Sequence, residues 1–388
     1  MTGSSVQSPI TVHLPHRIAF GVGTFGRLQE SLSISRFQKI FILSAPATRE
    51  AAQQIADQLR PSGKTSIIWS DITTEPSITT FLTAARVATD FSPDCVIGIG
   101  GGSVLDVAKL IAALWTDPAR IHDVFGIEKL DRRSTHLICI PTTAGTGSEV
   151  SPNAILLDEQ ENLKKGVISQ WLVPDEAWCD PTLTLTVPSA FTAAVGMDAL
   201  VHCIEAYANR FSHPMVDAWA IEGVRLISSS LKQAVLHGRD LESRSRVMLG
   251  ALYGGMCLGP VNTGAVHALA YPLGSEFKVA HGVSNSVLLT HVMRFNLPSV
   301  EKKYADIALA MGVTAQKTER LTAEQGLEFL SNLSREIGIP QSLSALEVPQ
   351  DAIPRMASAA MKVTRLLERN PRPVTYEDAV HIYQQAFL

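Results

Sequence analysis

Hydrophobic residues in the first half of the chain fall into short runs that alternate with longer amphipathic segments. The short apolar runs predict buried strands at 39–44, 65–69, 94–99 and 136–140. The segments with helical spacing predict helices, one beginning near Thr24 and others at 48–60, 76–90 and 103–115. Because such alternation is typical of a parallel, doubly wound sheet, we predict an α/β domain in this half.

The pattern changes near Pro188, after which helix-length segments dominate and turn residues or prolines separate them. The predicted helices lie at 189–209, 214–237, 241–257, 262–271, 284–295, 299–311, 322–336, 351–359 and 375–386. A chain of 388 residues is also long enough for two domains. We therefore predict an α/β domain over 1–187 and an all-helical domain over 188–388.

A glycine-rich turn follows the third predicted strand. Gly100, Gly101 and Gly102 precede Ser103, which we expect to be the N-cap of the next helix. Glycines let the backbone approach an anion closely, and a helix N-terminus supplies free N–H groups. The motif therefore indicates a cradle for phosphate or pyrophosphate, although it is neither a G-x-G-x-x-G sequence nor a P-loop. The alternative is a tight turn between a strand and a helix.

A second motif, Pro141-Thr-Thr-Ala-Gly-Thr-Gly-Ser-Glu-Val150, directly follows the fourth predicted strand. Its hydroxyl groups and glycines would lie at the carboxyl ends of the strands, where ligands bind in doubly wound sheets. The alternative is a polar surface loop. Lys164 is a candidate contact for a phosphate or a ribose, or else an ordinary surface lysine.

A third candidate site centres on the predicted helix that contains Asp198 and His202. The two residues are four apart, so they project from one helix face, and their neighbours are apolar. A buried carboxylate needs a partner. With His267 and His281, the pair would offer a donor set suited to Fe(II) or Zn(II). Each histidine alone has a structural alternative, and spacing leaves open whether the four residues meet.

Charge, cysteine content and apolar runs indicate which partners and which cellular compartment to expect. The net charge is −4, with acidic and basic residues interspersed, which predicts no nucleic-acid partner. The 5 cysteines are scattered and mostly lie in apolar runs, so we predict reduced core residues of a cytoplasmic protein. The N-terminal sequence predicts no signal peptide, and no apolar run is long enough to predict a membrane span.

Together these motifs resemble those of the iron-containing (group III) alcohol dehydrogenases over nearly the whole chain. The matching marks are Phe20-Gly-Val-Gly23, Gly98-Ile-Gly-Gly-Gly-Ser103 with Asp106 and Lys109, Pro141–Glu149, Asp180-Pro181, Gly196–Tyr207, His267–Gly274, His281-Gly282 and Asn370-Pro-Arg372. The resemblance implies a dehydroquinate synthase-like architecture, in which an α/β dinucleotide-binding domain precedes an all-α domain.

The resemblance also implies the site residues. The metal, Fe(II) or in some members Zn(II), would be bound by Asp198, His202, His267 and His281. The cofactor, NAD or NADP, would be contacted by Ser44, Gly100, Gly101, Gly102, Ser103, Asp106, Thr142, Thr143, Thr146, Ser151, Lys164 and Leu183. The catalytic residues would be His267, Asp198 and Tyr271.

Two positions depart from the family pattern. Many members have a second histidine, thought to relay protons, where this chain has Tyr271, and a phenol with an ordinary pKa of about 10 is a poorer base. Similar tyrosine forms are found in branches that resemble 4-hydroxybutyrate dehydrogenases and hydroxyacid–oxoacid transhydrogenases. NAD-specific members often have an aspartate where this chain has Ser44 and Ala45, so the choice between NAD and NADP stays open.

The resemblance thus predicts a metal-dependent NAD(P) oxidoreductase that interconverts a small primary alcohol or hydroxyacid and its aldehyde or oxo form. Alternatives are a maleylacetate reductase-like enzyme without metal, a transhydrogenase that keeps its cofactor bound, and a metal-binding protein without turnover. We expect a homodimer or larger homo-oligomer. Candidate residues of the substrate pocket are Asn153, Phe191, Asn262 and Phe277.

Overall fold

The computed structural model describes residues 6–73, 75–161 and 163–388. The chain forms two compact units. The first, here called the α/β unit, contains residues 13–143 and 147–185. The second, here called the helical unit, contains residues 186–388, the chain up to Val12, and the short segment 144–146.

Two sheets build the α/β unit. Its strands are β1 (Arg17–Phe20), β2 (Lys39–Ser44), β3 (Thr65–Trp69), β4 (Cys95–Gly100), β5 (Gly126–Ile127), β6 (His136–Pro141), β7 (Asn153–Asp158), β8 (Leu163–Ile168) and β9 (Glu176–Cys179). One sheet has the order β1-β9-β6-β4-β2-β3 and all its neighbouring strands are parallel. The predicted parallel sheet is therefore confirmed.

Helices cover both faces of this sheet. They are α1 (Thr24–Ser33), α2 (Arg49–Leu59), α3 (Ile78–Phe91) and α4 (Gly102–Leu114). Alternate residues of β2 enter two different cores, with Phe41 and Leu43 in one and Ile40 and Ile42 in the other. Burial on both faces explains why the strand is a continuous apolar run in the sequence.

The sequence did not predict the second sheet, in which β8 lies between β5 and β7. Strands β7 and β8 pair antiparallel, with Asn153 opposite Ile168 and Asp158 opposite Leu163. Only alternate residues of β7 are fully buried, and β8 carries two consecutive lysines. Because neither strand is a continuous apolar run, the pattern that identified β2 and β3 is missing here.

The helical unit contains α5 (Ser189–Ala208), α6 (Pro214–Leu236), α7 (Leu241–Leu258), α8 (Ala265–Phe277), α9 (His281–Ala310), α10 (Glu319–Glu336), α11 (Ile353–Ala360), α12 (Thr364–Leu367) and α13 (Tyr376–Phe387). In the described part of the chain, no helix combines the length and the apolarity that crossing a membrane requires.

Two of the predicted helix boundaries were wrong. Helix α8 was expected to end at 271 but continues through Pro272, because a proline removes one helical hydrogen bond without preventing the next turn. Helix α9 begins at His281 and not at 284, and a kink with non-helical backbone at Val300 divides it into two parts, as the separate predictions of 284–295 and 299–311 indicated. The earlier start of α9 places His281 in its first turn.

Two glycines let neighbouring helices approach α5 closely. A Cβ atom at Gly196 would lie 2.2 Å from Cδ1 of Leu231 on α6. A Cβ atom at Gly282 would lie 2.0 Å from the backbone oxygen of Ala194. The first turn of α9 therefore packs directly against the backbone of α5, which brings His281 towards Asp198.

Candidate metal and cofactor sites

Asp198 and His202 lie one turn apart on the buried helix α5. Both side chains are almost fully buried, and Nε2 of His202 lies 3.9 Å from Oδ1 of Asp198. Helices α8 and α9 bring two more imidazoles to the same carboxylate oxygen. Nε2 of His267 lies 3.5 Å from it and Nε2 of His281 lies 3.7 Å from it. The four residues therefore meet around one atom, Oδ1 of Asp198.

Three of these donors have the mutual spacing of a metal site: ligand atoms of Asp198, His267 and His281 all lie within 4.8 Å of one another, a group that does not include His202. Ligand atoms at about 2.1 Å from a tetrahedral ion lie about 3.4 Å from one another. The carboxylate–imidazole distances of 3.5, 3.7 and 3.9 Å are close to that value. One carboxylate oxygen and three imidazole nitrogens are also suitable donors for Fe(II) and Zn(II). The residues present therefore fit the ion that the sequence implies.

Burial and mutual contacts shift the pKa values of the cluster. Burial alone would raise the pKa of Asp198, but the neighbouring histidines hold it well below its ordinary value, so the carboxylate stays ionised. Burial lowers the pKa of His202 and favours its neutral form. Burial would also lower the pKa of His267, but hydrogen bonds with Asp198 and Glu205 raise it to about 9. A metal ion must therefore displace a proton from His267 at neutral pH.

Glu205 orients His267, although sequence analysis did not assign it a role. It lies on α5 one turn after His202, and its carboxylate is buried. Oε2 accepts a hydrogen bond from Nδ1 of His267 at 2.6 Å, and Oε1 accepts one from the Val266 backbone N–H at 2.7 Å. In the neutral imidazole this bond places the N–H of His267 on Nδ1 and leaves Nε2, which faces Asp198, as a lone-pair donor. The available signal was an acidic residue three positions after His202, in a largely apolar helix.

Asn285 is a second neighbour that sequence analysis missed. It is fully buried on α9, one turn after His281. Its Nδ2 lies 2.7 Å from Oδ1 of Asp198, 3.1 Å from Nε2 of His267 and 3.3 Å from Nε2 of His281. The only available signal was its spacing of four from His281, which puts both residues on one helix face.

Tyr271 lies on α8, one turn after His267. Its ring centroid is 6.2 Å from that of His281. Burial raises the pKa of Tyr271 above its ordinary value, and the positive charge of Arg365 only partly opposes this. The phenol therefore carries its proton at neutral pH and offers a hydrogen-bond donor beside the four-residue cluster.

In the α/β unit, the glycine-rich turn connects β4 to α4. A Cβ atom at Gly100 would lie 2.6 Å from Cγ2 of Val104, so a side chain there would collide with the helix. The prediction that Ser103 is the N-cap was wrong, because the sharp turn starts α4 at Gly102 and leaves Gly101 in the capping position. Gly101 has no side chain to cap the first turn, whose N–H groups are therefore suited to an anion.

Asp106 and Lys109 of α4 hold the end of the second motif and the segment that follows it. The Asp106 carboxylate accepts hydrogen bonds from the Ser148 hydroxyl at 2.6 Å and the Ile155 backbone N–H at 3.0 Å. Nζ of the fully buried Lys109 donates to the backbone oxygens of Ser151 at 2.8 Å and Asn153 at 2.9 Å. Burial raises the pKa of Asp106 and lowers that of Lys109. Both side chains thus bind protein groups.

Other predicted cofactor residues lie at the carboxyl edge of the parallel sheet. The register pairs Ser44 at the end of β2 with Ile99, and Gly100 with Pro141. The Thr142 backbone N–H donates to Gly100 at 3.0 Å. The Ser44 hydroxyl is buried and has no hydrogen-bond partner among the described residues.

The remaining predicted residues are more scattered. Leu183 packs against the core next to α1 and α2. Lys164 on β8 forms an ion pair with Glu75 at 2.5 Å. Thr143 lies close to Gly101, whereas Thr146 belongs to the short segment of the helical unit.

The proposed pocket residues also differ in their surroundings. Phe191 is exposed at the start of α5, whereas the partly buried Phe277 lies beneath the Arg355 guanidinium. Asn262 is buried with a positive φ of 65°, and its backbone oxygen accepts a hydrogen bond from Asn209.

Two family models match the chain. The model described as iron-containing alcohol dehydrogenase matches residues 15–181, and that described as Fe-containing alcohol dehydrogenase family, C-terminal, matches residues 192–387. The chain belongs to the iron-containing alcohol dehydrogenase family. The predicted family, the fold class and the assignment to oxidoreductases of small alcohols and aldehydes are thereby confirmed. Membership also implies the use of iron and NAD(H).

Individual relatives cover most of the chain. Long-chain-alcohol dehydrogenase 1 of Geobacillus thermodenitrificans is 38% identical over 338 residues, which are 86% of this chain and 85% of that protein. Lactaldehyde reductase of Escherichia coli K12 is 32% identical over 376 residues, which are 95% of this chain and 97% of that protein. The crystal structure of a 1,3-propanediol oxidoreductase has a TM-score of 0.94 at 32% identity and covers 98% of this chain and 100% of that one.

Proposed function

We propose that this iron-containing alcohol dehydrogenase interconverts a small primary alcohol or hydroxyacid and its aldehyde or oxo form, with Asp198, His202, His267 and His281 binding Fe(II) or Zn(II). The observation that carries the proposal is the convergence of three imidazole nitrogens on one carboxylate oxygen, at 3.5 to 3.9 Å. The hydrogen bond from His267 to Glu205 supports it, because metal-binding histidines are commonly oriented in this way.

When bound, the ion supplies Lewis acidity towards the alcohol or carbonyl oxygen and the nicotinamide supplies hydride chemistry. The protein residues determine the net charge of the site and the protonation of the groups that surround it. The ionised Asp198 lowers the net positive charge of the site, and Glu205 holds His267 in one orientation. Because the pKa of Tyr271 is raised, its hydroxyl is protonated at neutral pH, so it can donate a hydrogen bond or a proton during aldehyde reduction but does not serve as a base.

The residues at the end of β2 support the use of NADP as well as NAD. The chain has Ser44 and Ala45 where a carboxylate would repel a 2′-phosphate. Arg49, in the first turn of α2, donates a hydrogen bond to the Ser70 hydroxyl and adds positive charge near this strand end. We therefore expect oxidation of NADPH at a rate comparable to that of NADH.

The test is a spectrophotometric screen of NADH and NADPH oxidation over short aldehydes and oxo acids, with protein loaded with Fe(II) or Zn(II). We expect turnover that chelation abolishes and that a His202→Ala variant lacks. The control variant His381→Ala removes an exposed histidine of α13 and should keep both metal content and activity. Full activity after complete metal removal would refute the metal-dependent function and favour the metal-free oxo-acid reductase. Activity without added cofactor would favour the transhydrogenase.

We also propose a cytoplasmic homodimer or larger homo-oligomer. The 5 cysteines are free and buried, which suits a reducing compartment. Light scattering of the purified protein gives its mass, and a monomer at micromolar concentration would refute the oligomer.

A further inference from the structure

The amide group of Asn285 contacts the three donor atoms that are spaced for a metal ion. Its Nδ2 lies 2.7 Å from Oδ1 of Asp198, 3.1 Å from Nε2 of His267 and 3.3 Å from Nε2 of His281. The packing of α9 explains this position, because Asn285 follows His281 by one helical turn and Gly282 lets that turn approach α5. One atom of the amide therefore touches every member of the three-residue group.

Hydrogen bonding by the amide does not account for all these contacts. An NH2 group has two hydrogens, so it can serve at most two of the three neighbouring atoms. The other end of the amide, Oδ1 of Asn285, is buried and has no hydrogen-bond partner among the described residues. Buried polar atoms are rarely left unpaired, because an unpaired one costs free energy. The position of Asn285 is thus better explained by a ligand than by hydrogen bonds alone.

The distances around the amide are typical of neighbouring ligands of one ion. Ligand atoms at about 2.1 Å from an ion lie about 3.4 Å apart in tetrahedral geometry and about 3.0 Å apart in octahedral geometry. The amide contacts of 2.7, 3.1 and 3.3 Å, together with the distances of 3.5 and 3.7 Å from Asp198 to His267 and His281, lie around these values.

The amide of Asn285 also contains a suitable donor atom. A carbonyl oxygen binds divalent cations, whereas an NH2 group carries a positive partial charge and no free lone pair. Half a turn about the terminal torsion of the side chain exchanges Oδ1 and Nδ2 with little change in shape. Either atom can therefore occupy the position next to the three donors.

We propose that Asn285 is a further metal ligand, which binds the ion through Oδ1. Without an ion, Nδ2 donates to Asp198 and holds the donors together; with an ion, the amide turns over and presents its oxygen. One end of the amide is unpaired in either orientation, and a contact between Oδ1 and a cation in this buried site offsets that cost. The inference rests on the proposed function, because it concerns the ion that the dehydrogenase would use.

One substitution separates this role from a purely orienting one. Asn285→Asp keeps the shape of the side chain and places an oxygen next to the donors in either orientation. If Asn285 is a ligand, the variant should bind Zn(II) about 10-fold more tightly or better, because the negative charge of the ligands strengthens a site for a divalent ion. If Nδ2 only orients Asp198, binding should weaken, because that donor is lost. The measurement is a titration of metal-free protein with Zn(II) against a competing chelator.

Asn285→Asp should also respond in opposite ways without and with metal. Without metal, the new carboxylate faces that of Asp198, so repulsion should lower the melting temperature below that of the wild type. Saturating Zn(II) should raise it by more than it raises that of the wild type. The matched control is Asn296→Asp, at a buried asparagine of α9 that pairs with Asn370. This control should lose stability without gaining metal affinity.

Asn285→Leu gives a second readout that does not depend on an added charge. Leucine has nearly the shape of asparagine but no donor atom, and it fills the space that a replacing water molecule would need. The visible absorption bands of Co(II) become stronger when the number of its ligands falls. The Co(II)-loaded variant should therefore absorb more strongly than the Co(II)-loaded wild type. If Asn285→Asp does not fold without metal, this spectrum decides the role of Asn285.

The two proposals fail in different ways. The ligand role of Asn285 would be overturned if Asn285→Asp binds Zn(II) no more tightly than the wild type, or if Asn296→Asp shows the same gain. A Co(II) spectrum of Asn285→Leu identical to that of the wild type would overturn it as well. Each of these results leaves the metal-dependent dehydrogenase intact. If the wild type binds neither Zn(II) nor Co(II), the metal-dependent function fails, and the ligand role fails with it.

Discussion

Replacing Glu205 with glutamine tests whether α5 controls the orientation of His267. Each carboxylate oxygen accepts one hydrogen bond, from Nδ1 of His267 at 2.6 Å and from the Val266 backbone N–H at 2.7 Å. Glutamine has the same shape but only one oxygen, so one of the two donors then faces an NH2 group. Loss of such an outer partner typically lowers metal affinity about 10- to 100-fold, or about 1.4 to 2.8 kcal/mol. The buried donor left unpaired should also lower the free energy of unfolding by about 1 to 3 kcal/mol.

The assay is a titration of Glu205→Gln and wild type with Zn(II) in the presence of a competing chelator, with urea unfolding of the metal-free proteins alongside. The matched control is Glu176→Gln in the α/β unit, where a partly buried carboxylate accepts a hydrogen bond from Trp178 at 2.8 Å. This control should bind metal as the wild type does. A folded Glu205→Gln variant with wild-type metal affinity, within about threefold, would refute the orienting role of Glu205.

Three further predictions concern packing, a buried lysine and pH. Gly282→Ala places a methyl group 2.0 Å from the Ala194 backbone oxygen, so we expect a loss of about 3 kcal/mol in unfolding free energy, and a lower metal content measured by atomic absorption. Lys109→Met removes the donor to two backbone oxygens, those of Ser151 and Asn153. We expect this to lower the free energy of unfolding in urea by about 1 to 3 kcal/mol for each oxygen. Burial lowers the pKa of His291 to about 4, so the unfolded state binds more protons between that pH and about 6.5. The free energy of unfolding should therefore fall by up to about 3 kcal/mol as the pH drops from about 6.5 to about 4. Urea unfolding of His291→Gln over the same pH range should show a correspondingly smaller fall.

The parallel sheet could be predicted because its central strands are buried on both faces. Strands β2 and β3 have the bounds expected from their apolar runs, 39–44 and 65–69. The hairpin of β7 and β8 could not be predicted in this way, because each strand buries only part of its residues. Pairing partners and register depend on contacts between distant segments, which local periodicity does not encode.

The residues of the candidate site also differ in whether local sequence spacing could predict them. The pair Asp198 and His202 follows from helical spacing alone, since both residues lie on one turn of one helix. That His267 and His281 join them depends on how α8 and α9 pack, and only the family resemblance indicated it. The role of Glu205 was missed because the donors that it accepts from, Val266 and His267, lie on a different helix. Residues whose role depends on a partner in another element are those that sequence reasoning misses.

These cross-helix contacts link metal binding to the stability of the helical unit. The donors come from α5, α8 and α9, and polar contacts of Glu205 and Asn285 join the same three helices. An ion held by all four donors must stabilise their native arrangement relative to the unfolded chain, because the unfolded chain does not hold the donors together. The buried, ionised Asp198 strengthens this link, since its negative charge is a cost that a cation offsets. The melting temperature of the wild type should therefore rise with metal concentration, and a variant lacking one donor should show a smaller rise, whether or not it retains activity.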